Sequence, residues 1–109
     1  MGVLAGNAVR FGKSHDIMAV GEGVETVLAL RTLMPSMPMA AALSAQNVSA
    51  LRLPATLKRL TIAADRDRAG MRAAECLHWR AVDRGVNAVI LLPVHNDFND
   101  DLRIWTARR

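Results

Sequence analysis

Leu60-Thr61-Ile62-Ala63-Ala64-Asp65-Arg66-Asp67-Arg68-Ala69-Gly70 is the stretch whose reading decides the fold. Leu60 to Ala64 is an apolar run of strand length, continuous as in a strand covered on both faces, and it opens into two carboxylates with one residue between them. A helical pattern follows from Arg68. If strand geometry persists through the acids, Asp65 and Asp67 point to one side of the strand's C-terminal edge, where open α/β sheets place their ligands. Two carboxylates so close repel one another, and a hard divalent cation such as Mg²⁺ relieves that repulsion. A competing reading needs no metal, because Asp is favoured at the first turn of a helix for its capping oxygen and its charge.

Upstream, the apolar run Ile17 to Val20 leads to Gly21-Glu22-Gly23, and Val24, Val27, Leu28 and Leu30 then recur at helical spacing towards Met34. Glu22 therefore stands between a strand and a helix, as the Asp pair does. Gly23 beside it permits close approach by a ligand. Downstream, Val86 to Leu92 is another buried-strand pattern, followed by Pro93-Val94-His95-Asn96-Asp97-Phe98-Asn99-Asp100-Asp101. That acidic turn leads into an expected terminal helix, Leu102 to Ala107.

These three stretches together resemble the Toprim domain, the catalytic module shared by bacterial-type primases, type IA and type II topoisomerases and some nucleases. Glu22-Gly23 matches the family's Glu-Gly at the first strand end, and Asp65 and Asp67 match its Asp-x-Asp. The continuation through Arg68-Ala69-Gly70 and the third acidic turn at Asp97, Asn99 and Asp100 are closest to primase-like members of bacteria, phages and plasmids. The resemblance spans Val20 to Leu102. It implies phosphodiester chemistry, with Glu22, Asp65 and Asp67 catalytic and Mg²⁺, or Mn²⁺ in its place, held by Glu22, Asp65, Asp67, Asp97 and Asp100. Gly23, Arg66, Arg68 and Gly70 become candidate cofactor- or phosphate-contacting positions. In the primase branch the reaction is nucleotidyl transfer in primer synthesis, with single-stranded DNA and nucleoside triphosphates as partners. A metal-dependent nuclease and a non-catalytic scaffold that binds nucleic acid or protein are the alternatives.

The 109 residues, 51% of them hydrophobic, suit one domain. They are too few for a complete primase, so a catalytic fragment, a degenerate stand-alone member or a subunit working with a further primase or helicase domain is expected. Fourteen Lys plus Arg against ten Asp plus Glu give a net charge of +4, almost all of the positive charge coming from arginine, a good bidentate phosphate partner. The chain has no tyrosine, which removes the nucleophile of topoisomerase cleavage. Its single cysteine, Cys76, rules out an internal disulfide and is expected to pack inside a helix. No run is long enough to cross a bilayer, and the first residues lack a secretory layout, so the expected location is cytoplasmic.

In chain order, Gly6-Asn7 is expected to turn a small hairpin within residues 1–16. Residues 17–102 form the expected catalytic core, and residues 103–109 the end of a terminal helix. Met39 to Leu43 reads as a strand, Asn47 to Leu53 as a short helix, and Arg68 to Arg84 as the longest helix, closed by Gly85. The expected whole is a compact three-layer, Rossmann-like α/β domain. Its mostly parallel four-stranded sheet brings Glu22, Asp65 and Asp67 within about 8 Å at one edge, a separation that one hydrated ion or two shared ions can bridge.

Overall fold

A computed structural model describes residues 2–4, 8–11, 16–93 and 102–105, with side chains over 16–92. Four parallel strands carry the domain: β3 (Ile17–Gly21), β4 (Met39–Ala41), β5 (Arg59–Ala63) and β6 (Asn87–Pro93). β1 (Gly2–Leu4) and β2 (Ala8–Phe11) pair antiparallel as a hairpin, and β2 adds antiparallel to β4. The proposed Gly6-Asn7 turn lies outside the described residues. β7 (Leu102–Trp105) closes the other side antiparallel to β6, giving a seven-stranded sheet in the order β1-β2-β4-β3-β5-β6-β7.

Three helices connect the parallel strands: α1 (Val24–Leu33), α2 (Ala45–Ser49) and α3 (Arg68–Asp83). The strands divide their residues between two cores with period two. Met18, Val20, Ala40, Leu60, Ile62 and Ile90 pack with Val48, Leu77 and Ala81 on the α2 and α3 face. Ala19, Met39, Ala41 and Ala63 pack with Val27 and Leu30 on the α1 face. Both faces are covered, hence the near-continuous apolar runs.

Connections out of β3 and β5 diverge. From β3 the chain passes through α1 on one face to β4, whereas from β5 it passes through α3 on the opposite face to β6. Right-handed crossovers require helices on opposite faces when the direction along the sheet reverses. The C-terminal ends of the adjacent strands β3 and β5 are therefore a topological switch point, where the departing chains leave a crevice.

Several local expectations are corrected. Residues 102–105 form a strand, not the start of a helix. Leu102, Ile104 and Trp105 are apolar around Arg103, a pattern too short to specify a helix, and the open edge of β6 supplies hydrogen bonds to an extended chain. Leu28 is 47% exposed and lies off the buried stripe of α1, which consists of Val27 and Leu30. Cys76 is exposed, because the buried side of α3 is taken by Ala73, Ala74, Leu77, His78 and Ala81. β4 stops at Ala41 rather than Leu43, and Leu43 takes a left-handed φ of 78° as the chain turns towards α2.

Candidate functional site

Glu22 follows β3 directly. Its backbone carbonyl accepts the Leu43 N–H at 2.6 Å, so the residue is tied to the turn after β4 while its side chain stands at the switch point. Gly23 is the N-cap of α1 in an extended conformation, φ −97° and ψ 152°, and no side chain caps that helix. A Cβ on Gly23 would meet nothing nearer than Thr26 Oγ1 at 3.9 Å, so no close packing requires glycine there. Gly21, not singled out by the sequence, is the tighter position: a Cβ there would lie 3.1 Å from Val27 Cγ2. It lets α1 settle onto the end of β3.

Asp65 emerges from the neighbouring strand end. Ala64 still donates its N–H to Leu91 carbonyl at 3.0 Å, but β5 has ended at Ala63, so strand geometry does not carry through to both acids. The two aspartates consequently diverge in role. Asp67 is the N-cap of α3, its Oδ1 accepting the Gly70 N–H at 2.6 Å. Asp65 instead faces Glu22, and the two side chains share a hydrogen bond.

Gly70 holds this junction closed. A Cβ on it would stand 3.0 Å from both Asp65 Cβ and Asp67 Oδ1 and 3.1 Å from the Asp65 carbonyl. Only glycine lets the first turn of α3 lie against the acidic loop without a shift.

Desolvation by burial raises the Glu22 carboxyl above its ordinary 4.5, and the charges of Asp65 and Asp67 raise it further. Asp65 is lifted above its ordinary 3.8 by burial first and by Asp67 second, while its hydrogen bond with Glu22 works in the opposite direction. Glu22 and Asp65 are therefore a coupled pair that retains a proton more readily than isolated carboxylates do. A donor set of two adjoining carboxyls suits a hard divalent cation, which relieves the same repulsion that protonation relieves. Among the described residues no three His, Cys, Asp or Glu side chains are grouped as metal ligands. The charge of Asp67 reaches the pair, while one of its oxygens is committed to the helix cap. Asp97 and Asp100 lie outside the described residues.

The remaining candidates take different positions. Arg66 and Arg68 are exposed; Arg66 already has an interaction within the chain. Ser44 caps α2, accepting the Asn47 N–H at 3.0 Å. His78 is buried, edge-on to Trp79 with ring centroids 4.6 Å apart, and its Nδ1 has no hydrogen-bond partner among the described residues. Arg80 and Arg84, which carry part of the arginine excess, donate to the Ser49, Leu51 and Leu53 carbonyls and join α3 to the chain leaving α2. No sequence signal distinguished these two from solvent-facing arginines.

No helix among the described residues is long and apolar enough to cross a membrane. Comparison with curated proteins and with solved structures gives no match. The family model described as the Toprim domain matches residues 17–106, from the start of β3 past β7, so it takes in the switch point and both of its acidic strand ends. The chain belongs to the Toprim domain family.

Proposed function

We propose that this domain performs Mg²⁺-dependent nucleotidyl transfer of primase type on single-stranded DNA, as the catalytic part of a larger assembly. The observation that carries this reading is that Glu22 and Asp65 leave the C-terminal ends of the adjacent parallel strands β3 and β5 at the switch point, and the upward direction of both carboxyl pKa values accords with it. Membership of the Toprim family supports a role on nucleic acid, and the acidic strand ends support phosphodiester chemistry.

Asp65 and the uncommitted oxygen of Asp67 would hold Mg²⁺, with Asp97 and Asp100 as further contributors. Held there, the ion would supply charge neutralisation at the phosphate undergoing transfer. Glu22 accepts the proton of the attacking hydroxyl, a task suited to a carboxylate whose proton affinity burial raises above the ordinary value. Arg66 and Arg68 orient phosphate oxygens, and the bare Gly23 backbone leaves room for the nucleotide.

Incorporation of labelled ribonucleotide on a single-stranded DNA template tests this reading. Glu22→Gln and Asp65→Asn are each expected to lower incorporation by about 10² to 10⁴-fold, the range for removing a proton-transfer or charge-organising group, with unchanged circular dichroism. Incorporation at the wild-type rate in both variants would overturn the assignment. Shortening of the DNA without added nucleotides would replace it with the nuclease reading.

A further inference from the structure

Beside the switch point, α2 and the first turns of α3 line an open, shallow groove of about 400 Å³. Arg68 and Arg72 stand on its α3 side, one helical turn apart and so on one face, and Gln46 lies on the α2 side. Both arginines are exposed and form no hydrogen bond or ion pair among the described residues, unlike Arg66, Arg80 and Arg84. Ala45, Ala69 and Ala73 contribute small apolar surface, and no carboxylate lines the groove. Arg68 directly follows Asp67, so the groove begins where the acidic loop ends.

We propose that this groove is the track along which a single strand of nucleic acid lies as it reaches the acidic crevice. Arg68 and Arg72 hold its phosphates, and its bases rest on the alanine surface. Two guanidiniums in a groove whose lining holds no carboxylate complement a polyanion. The alanine methyls offer van der Waals and apolar contact to unstacked base faces, which a single strand exposes and a duplex keeps inside its stack. The proposal takes from the preceding reading only that the polyanion is nucleic acid; it does not require catalysis.

Cys76 provides the readout, since it is exposed, lines the same groove and is the only cysteine in the chain. The rate of its alkylation by iodoacetamide is measured on the full chain in EDTA, with and without an oligothymidylate. The oligonucleotide is expected to slow alkylation several-fold at low salt, with protection fading as salt rises. Arg68→Gln with Arg72→Gln preserves helix propensity and should abolish the protection. It should also reduce the slope of log affinity against log salt by about 1.4, at roughly 0.7 per phosphate contact on a single strand.

Protection that persists in the arginine variant overturns the track. Equal protection by a blunt duplex, by adenosine triphosphate alone or by polyglutamate overturns its assignment to a single strand. Glu22→Gln with Asp65→Asn is expected to retain protection while losing nucleotide incorporation. A wild-type chain that is protected but incorporates nothing refutes the transfer reading and leaves the groove standing.

Discussion

Glu22 and Asp65 each follow an apolar run, which is why the sequence singles both out, and the expectation that their strand ends meet at one edge agrees with β3 and β5 being neighbours. Asp67 was harder to read, because an Asp one residue beyond another looks equivalent until the helix start is fixed, and its oxygen then goes to Gly70. The raised carboxyls make a signed prediction. The folded chain keeps protons that the unfolded chain has released, so the pair costs nothing below the ordinary values of 4.5 and 3.8 and becomes destabilising as pH climbs through the folded pKa values. Glu22→Gln should therefore stabilise the metal-free protein in urea melts at pH 7, the gain shrinking as pH falls through the raised folded pKa and vanishing below the ordinary 4.5. A gain that grows on acidification contradicts the pair. Asp67→Ala should instead cost about 1 kcal/mol through the lost cap. Leu43 permits the reverse experiment: its left-handed φ of 78° costs about 1 to 2 kcal/mol, and its 52% exposed side chain has little packing to lose. Leu43→Gly is expected to be neutral or to raise stability by up to about 1 kcal/mol after the entropy of glycine is counted, measured by the same melts.

At the scale of elements, α3 shows which signals survive the passage from sequence to structure and which do not. Its amphipathic stripe and its stop at Gly85 were readable, and Gly85 indeed takes a φ of +82° just past the helix. The clamp of Arg80 on the Ser49 and Leu51 carbonyls was not, since arginine on a half-exposed helix position carries no mark of its partner. Arg80→Met should leave those carbonyls short of a donor and cost about 1 to 3 kcal/mol. The helix expected from Leu102 is instead a strand over 102–105, because a pattern this short is decided by whatever edge it meets, here β6. Gly70→Ala sets two elements against each other. Alanine gains about 1 kcal/mol of helix propensity, but overpacking against Asp65 and Asp67 costs about 1 to 3 kcal/mol. The expected result is a net loss in thermal stability, and a net gain would show that the acidic loop can move aside.

Over the whole molecule, strand order makes two unremarkable strand-to-helix turns into one site. Apolar runs of strand length alternating with helices were enough to foresee the parallel sheet, because burial on both faces leaves a run with no polar interruption. The antiparallel additions at the two edges depended on tertiary pairing and were only partly visible. Since the crevice is a property of the folded topology, an unfolded chain has no such site, and Mg²⁺ binding should appear directly as fold stability. At a concentration ten times its dissociation constant the ion adds about 1.4 kcal/mol, which for a domain of this size shifts the melting temperature by roughly 6 to 11 °C. Glu22→Gln with Asp65→Asn should melt higher than wild type without metal, because the repulsion is gone, and should not respond to Mg²⁺. The two effects have opposite signs on one observable, so a general loss of structure cannot imitate them. Equal Mg²⁺-induced shifts in wild type and variant would locate the ion elsewhere and remove the metal from this pair of carboxylates.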